Sequence, residues 1–182
     1  MIPVIAVVGS SKSGKTTLIE YLTSRLSNDG LKIGTIKHVH QSHFSVDKKG
    51  KDTWRHAQAG AKVVACIAPE ETVIIKKKDS SRHTLEKILD LVKDDNLDLI
   101  ILEGFHSLIA KRRDVIKILA AKNEEDLKRT LEGTVGPILA ITGPPSLAEF
   151  VSSQISAPFI SIENLEEKIL ESIKNVVLSS LH

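Results

Sequence analysis

The sequence predicts an α/β fold, a mainly parallel β-sheet with helices on both faces. Two observations carry that prediction. Short apolar runs alternate with helix-patterned segments over most of the 182 residues, the pattern left by parallel strands joined through covering helices. The first apolar run, Val4-Ile5-Ala6-Val7-Val8, leads through Gly9-Ser10-Ser11-Lys12-Ser13-Gly14-Lys15-Thr16 into a helix-patterned stretch from Thr17 to Asp29. This junction matches G-x-x-x-x-G-K-[ST] in the strand–loop–helix setting that the pattern needs. The expected architecture is therefore a P-loop NTPase, with residues 1–182 forming a single nucleotide-binding domain.

The physics of that turn is specific. Gly9 and Gly14 allow backbone angles that a Cβ would hinder, and they let the main chain come close to a phosphate. Successive N–H groups make an anion nest, backed by the positive end of the following helix. Lys15 has the reach for β- and γ-phosphates, and the Thr16 hydroxyl suits Mg²⁺.

Each further element follows from pattern. Leu18, Leu22 and Leu26 recur at i+4 with Ile19 beside them, and Asn28-Asp29-Gly30 ends that helix. Leu31–Lys37 reads as a strand, His38–Lys51 as a polar loop, and Asp52–Gly60 as a helix with Trp54, Ala57 and Ala61 on one side. Val63–Ile67 and Thr72–Ile75 read as an antiparallel pair turning near Pro69, with Cys66 buried in the first strand. Lys76-Lys77-Lys78 then marks a solvated edge. Leu85, Ile88, Leu89 and Val92 mark an amphipathic helix. Strands are expected at Leu97–Leu102, Asp114–Ala121, Ile138–Ile141 and Phe159-Ile160. Asn123 with Asp126 opens a helix carrying Leu127 and Leu131. Ser146 with Glu149, and Asn164 with Glu167, suggest capping boxes for two more. The last helix is expected to bury Leu165, Ile169, Ile173 and Val176.

Composition narrows the functional classes. A net charge of +2 and 3% aromatic residues argue against nucleic acid as a partner. Cys66 is the only cysteine, which precludes an intramolecular disulfide and fits a reducing compartment. The N-terminal apolar run ends in the phosphate loop and lacks a basic n-region, unlike a signal peptide. No apolar run approaches the roughly 20 residues of a membrane helix. A cytosolic protein without a membrane partner is expected.

A phosphate loop of this type is usually completed by an acid at the C-terminal end of a neighbouring apolar strand. Leu99-Ile100-Ile101-Leu102 is followed by Glu103. Parallel strands end on the edge that carries the loop, whereas Asp98 starts the same strand, roughly 16 Å away at about 3.3 Å per residue. Glu103 is thus the expected metal-side acid, with Thr16. Asp47 and Asp52 are alternatives for a second ligand or a group that orients water. His38, His40 and His43 suggest a transition metal, but His-x-His spacing with a nearby carboxylate is weak evidence for zinc, because two ligands do not close a site and no cysteine supports it; phosphate or pterin contact, or loop structure, is the preferred use of that loop. Lys48, Lys49, Lys51, Arg112 and Arg113 are candidates for anionic ligands or a solvated surface.

These residues bear a family likeness. Gly9–Thr17, Ile36-Lys37-His38-x-His40, Asp47-x-x-Gly50-Lys51-Asp52, Ala59-Gly60-Ala61 and Leu99–Phe105 with Glu103-Gly104-Phe105 occur in the order seen in the MobB family, and Lys117-Ile118 fits its next strand. The resemblance covers about the first two-thirds of the chain. It implies a GTP-binding, Mg²⁺-dependent homodimer that hydrolyses GTP slowly at most. The implied partner is the nucleotidyltransferase that attaches GMP to molybdopterin, with molybdopterin a further ligand. By carry-over, Gly9, Ser10, Ser11, Lys12, Ser13, Gly14, Lys15, Thr16 and Thr17 bind phosphates. Lys37, His38, His40 and Lys51 line the nucleotide or cofactor surface, while Glu103, Asp47 and Asp52 are the acids of the site. The chain departs from the family where Gln41 follows His40 and where His106 follows Phe105. A small-molecule P-loop kinase, with Arg112-Arg113 as its lid, and a metallochaperone GTPase are the competing readings. No Asn-Lys-x-Asp signature for guanine is present, so GTP over ATP rests on the resemblance; Thr142-Gly143 is a strand end where a base could rest.

Overall fold

A strand apolar at every position has to be buried on both faces. Val4-Ile5-Ala6-Val7-Val8 is such a strand, and in the computed structural model Ile5 through Val8 are wholly shielded from solvent. The structure describes residues 2–41, 43–77, 83–165 and 167–180. The elements in chain order are β1 (Val4–Val8), α1 (Lys15–Asn28), β2 (Ile33–Lys37), α2 (Asp52–Gln58), β3 (Val63–Ile67), β4 (Thr72–Lys76), α3 (Leu85–Leu89) and β5 (Leu99–Glu103). They continue with α4 (His106–Ile109), β6 (Ile116–Ala120), α5 (Glu124–Leu131), β7 (Ile138–Gly143), a 3₁₀ turn at Pro145–Leu147, α6 (Ala148–Gln154), β8 (Phe159–Ser161) and α7 (Lys168–Ser180).

The chain forms two compact units: residues 1–38 with 85–182, and residues 39–84. The first unit holds a six-stranded sheet in the order β2-β5-β1-β6-β7-β8, every pair parallel. Helices α1 and α7 cover one face, packing Leu18, Leu22, Leu26, Ile169, Ile173 and Val177 on Ile5, Val7, Leu99 and Ile101. The other face meets Leu85, Ile88, Ile109, Leu127 and Val151, which pack on Ala6, Val8, Ile100 and Leu102. The alternation of Ile5 and Val7 with Ala6 and Val8 between the two cores is the two-residue period of a strand. The α/β fold expected from sequence is the fold observed.

Residues 39–84 contain α2 and the antiparallel hairpin β3–β4, paired from Val63↔Lys76 to Ile67↔Thr72. No Gly/Pro-rich linker marks this unit off, so nothing in the composition separates it from the single domain expected over the whole chain. With only two strands, the hairpin has little to cover it. Val64 is buried, but Val63, Ile67 and Ile74 are exposed, and Cys66 is exposed instead of buried. Helix α2 buries none of its residues, so Trp54, Ala57 and Ala61 do not form a core face. Lys76 and Lys77 are exposed as expected of an edge, and Lys78 lies outside the described residues.

Both proposed capping boxes fail for local reasons. Pro144-Pro145 starts a 3₁₀ turn that runs into α6, which leaves Ser146 inside the turn and no side-chain cap on α6. Helix α7 begins only at Lys168, and the Glu167 carboxylate is held by Arg25 at 2.6 Å instead of reaching back to Asn164. Val177, not Val176, takes the buried position. The amphipathic segment from Leu85 is helical only to Leu89. By contrast, Asn123 caps α5 as expected, its Oδ1 accepting from the Asp126 N–H at 2.9 Å.

One buried cation lies at the edge of the sheet opposite the phosphate loop. Lys117 in β6 is wholly buried, and its ammonium donates to the carbonyls of Arg112 and Val115. Burial pushes its pKa below the ordinary lysine range, partly opposed by Asp114. Replacing Lys117 with Ala should cost about 2–4 kcal/mol, through the cavity and two unpaired carbonyls. The unfolded chain holds this proton more tightly than the folded one, so wild-type stability should rise with pH through the window just below the ordinary lysine value. Lys117→Met should lack that rise, as measured by urea denaturation across alkaline pH.

Candidate functional site

The C-terminal ends of the parallel strands bring one set of loops together. After β1 the chain crosses to β2 and β5 on one side of the sheet, and β6, β7 and β8 lie on the other. The phosphate loop therefore opens at the point where the strand order reverses, the usual crevice of an open α/β sheet.

The loop is shaped by contact as much as by its own sequence. A Cβ on Gly9 would lie 1.9 Å from the Ala120 carbonyl oxygen at the end of β6, and one on Gly14 would lie 2.8 Å from Ile162. Gly14, with φ 89°, is the N-cap of α1, so the first turn of that helix points its free N–H groups into the loop. Lys12 also takes a left-handed conformation, φ 61°. Inside the turn, Ser13 Oγ donates to the Ser10 carbonyl at 2.9 Å, and Lys15 Nζ donates to the same oxygen at 2.5 Å. Ser11, Lys12, Thr16 and Thr17 are exposed, whereas Ser13 is buried.

Glu103 stands beside this loop. Strand register pairs Val7 with Glu103 and Lys37 with Glu103, so three neighbouring strands deliver one row of residues to one edge. Glu103 Oε1 accepts from Thr16 Oγ1 at 3.2 Å and from Lys37 Nζ at 2.9 Å. Two hard oxygens this close fit a Mg²⁺ that takes one or two protein ligands and keeps its waters. Asp98, as expected, is at the opposite end of β5, accepting from the Lys32 N–H. Partial burial lowers the pKa of Lys15, with the Glu103 carboxylate opposing and the Lys37 ammonium adding to the shift.

His38 stacks on Phe105, with ring centroids 4.8 Å apart, and its backbone N–H donates to the Glu103 carbonyl. Its imidazole thus has a packing role at the strand end. The candidates from His40 to Asp52 belong to the second unit. There Asp47 Oδ1 accepts from Thr53 Oγ1 at 2.8 Å, Asp52 pairs with Arg55 at 3.6 Å, and His40, Lys51 and Asp52 lie on the loop and at the start of α2. Arg112 lies near the start of β6, at the edge opposite the phosphate loop. Asp114 and Glu86 grip its guanidinium, which holds the Asp114 carboxyl down at about 2. That position does not suit a lid over a transferred phosphoryl group.

Sequence reasoning missed Asp126. This carboxylate is 5% exposed, and its Oδ2 accepts from Ser10 Oγ at 2.8 Å and from the Lys122 N–H at 3.0 Å. It ties the first turn of α5 to the second residue of the phosphate loop. Beside it lies a cleft of about 210 Å³ lined by Gly9, Ser10, His106, Asp126, Arg129 and Thr130. The available signal was an acid at the third position of a capped helix, which reads first as a helix start. Asp126→Ala should strand the Ser10 hydroxyl and Lys122 amide, lower stability by about 1–3 kcal/mol, and speed hydrogen exchange at the Ser10–Ser13 amides. Unchanged exchange there would show that the tie does not order the loop.

The model of one protein family, molybdopterin guanine dinucleotide synthesis protein B, or MobB, matches residues 4–140. A curated protein of Methanocaldococcus jannaschii is 40% identical over 122 residues, which are 67% of this chain and 48% of that one. A molybdopterin-guanine dinucleotide biosynthesis adapter protein of Haemophilus influenzae is 34% identical over 123 residues, 68% of this chain and 65% of its own. The chain thus spans about half the length of the first relative and just under two thirds of the second. The crystal structure of Bacillus subtilis MobB superposes with a TM-score of 0.75 at 24% identity, over 96% of this chain and 97% of the other, a likeness of fold. The family match runs from β1 into β7 and takes in the loop, Lys37, Glu103 and Asp126 alike, so this chain belongs to the MobB family.

Proposed function

We propose that the chain is a nucleotide-binding adapter serving the biosynthesis of molybdopterin-guanine dinucleotide. Its phosphate loop would take GTP with Mg²⁺, and its partner would be the nucleotidyltransferase that attaches GMP to molybdopterin. The observation that carries the nucleotide part is the contact of Thr16 Oγ1 with Glu103 Oε1 at the mouth of the loop. The family match and the printed role of the Haemophilus relative support the adapter part.

In this reading the residues divide the work simply. Backbone N–H groups of Gly9–Thr16 and the start of α1 bind and orient the phosphates. Lys15 leaves the Ser10 carbonyl for a phosphate oxygen. Thr16 and Glu103 hold Mg²⁺, which offsets phosphate charge when bound. Hydrolysis in this reading is slow at most. Asp47, Asp52, His40 and Lys51 belong to a loop that would face the pterin or the partner enzyme.

Calorimetry with GTP, ATP and GDP, with and without Mg²⁺, tests the first part. Lys15→Ala should weaken triphosphate binding about tenfold or more, since a charge-assisted bond is lost, while leaving the fold intact. Equal binding by that variant would place nucleotide elsewhere. Glu103→Gln should blunt the Mg²⁺ dependence and only partly reduce affinity. Asp47→Asn and Asp52→Asn should impair dinucleotide formation in a reconstituted assay more than nucleotide affinity. Phosphoryl transfer to a small alcohol, abolished by Asp47→Asn, would instead make the chain a kinase.

A homodimer belongs to the same proposal. The hairpin β3–β4 has exposed apolar side chains at Val63, Ile67 and Ile74, and a two-stranded sheet offers edges for pairing. Sedimentation at micromolar concentration should give twice the chain mass, and a monomer at that concentration would count against it.

A further inference from the structure

We propose that Lys37 is a tethered cation that competes with Mg²⁺ for Glu103, and so lets the phosphate loop hold a triphosphate when the metal is absent. This rests on the nucleotide reading of the loop given above.

The geometry is built into the sheet. Lys37 is the last residue of β2 and stands in register with Glu103, the last residue of β5. The backbones at that edge are fixed, because the His38 N–H donates to the Glu103 carbonyl and the Gly104 N–H donates to the Val7 carbonyl. Only side chains are left to move. Lys37 Nζ sits 2.9 Å from Glu103 Oε1, the same oxygen that faces Thr16 Oγ1.

A divalent ion held by Thr16 and Glu103 would bind that oxygen at about 2.0–2.1 Å. It would then lie within about 5 Å of an ammonium still bonded to the same atom, and the two like charges repel. They cannot share Oε1 without loss, so binding one weakens the other. The exposure of the two side chains decides which partner moves. The Lys37 side chain is 57% exposed, against 15% for Glu103. The carboxylate stays, and the ammonium swings on its four-carbon stem.

Its range includes the phosphate site. Lys37 Nζ and Thr16 Oγ1 share one carboxylate oxygen, so the ammonium already stands next to a residue of the phosphate loop, and Lys15 is the neighbour of that residue. Without metal, Lys37 bridges Glu103 and the terminal phosphates as a second cation. With metal, it is displaced from Glu103 and contributes less. Wild-type binding should consequently depend less on Mg²⁺ than binding by a loop whose acid is free for the metal.

The test is calorimetry of GTP on the full chain, in saturating Mg²⁺ and in EDTA, for wild type, Lys37→Met and Lys37→Arg. Removing Mg²⁺ should cost Lys37→Met at least about threefold more affinity than it costs wild type. The loss caused by the substitution is then smaller in Mg²⁺ than in EDTA, and Lys37→Met should reach half its metal effect at a lower Mg²⁺ concentration. Lys37→Arg keeps the charge and should restore binding in EDTA. Melting curves of both variants check folding, since an exposed side chain is replaced. Equal losses for Lys37→Met in the two solutions would overturn the competition and leave Lys37 as a general positive charge. A wild type as Mg²⁺-dependent as Lys37→Met would overturn it too. Neither result touches the nucleotide reading, whereas failure of wild type to bind GTP in either solution would remove both.

Discussion

Parallel pairing of β1 with β5 on one side and β6 on the other is the constraint on which everything else depends. It buries Ile5–Val8 between two helical layers and leaves the chain no way out except at the edge, where Gly9 must turn against the Ala120 carbonyl. A larger residue at position 9 would force β1 and β6 apart, so the core and the loop are selected together. The same pairing fixes Glu103 two residues short of the loop's level and brings Lys37 alongside it. A phosphate-binding geometry here is a property of strand register before it is a property of any one side chain.

The sheet was legible in the sequence because its signal is local. Each strand is a short apolar run, each helix an i, i+4 repeat, and the phosphate loop a pattern whose physics is contained in eight residues. Glu103 was legible through one added step, that parallel strands finish on a common edge. The hairpin β3–β4 was also legible, yet the fate of Cys66 was not. An apolar run says that a strand forms, but the number of layers stacked on it decides its burial, and only two strands were available. The false capping boxes at Ser146 and Asn164 share a cause. A four-residue signature cannot register the Pro144-Pro145 turn that shifts one helix start, or the distant Arg25 that engages Glu167.

The contacts that matter most at the site were the least legible. Ser10 and Asp126 are 116 residues apart, and Lys37 and Glu103 are 66 apart. Neither pair leaves a trace in spacing, because the partners lie on different elements and meet only through the strand order. Sequence reading could name Lys37 and Glu103 as residues of one surface. It could not assign them to the same oxygen atom, nor see that a helix-capping segment also braces the loop.

The treatment of charge at the two edges of the sheet has a kinetic consequence. At the far edge Arg112 is neutralised by Asp114 and Glu86, and the Lys117 ammonium is sunk among carbonyls. Around the phosphate loop, Lys37 and Lys122 add their charge to that of Lys15, with Glu103 and Asp126 opposing, and Lys12 is exposed on the loop. The loop therefore presents a local cluster of cations. A polyanion close to the loop is drawn towards that cluster before any contact forms. Its arrival rate then depends on the ionic strength of the medium, because that field reaches only about 8 Å at physiological salt.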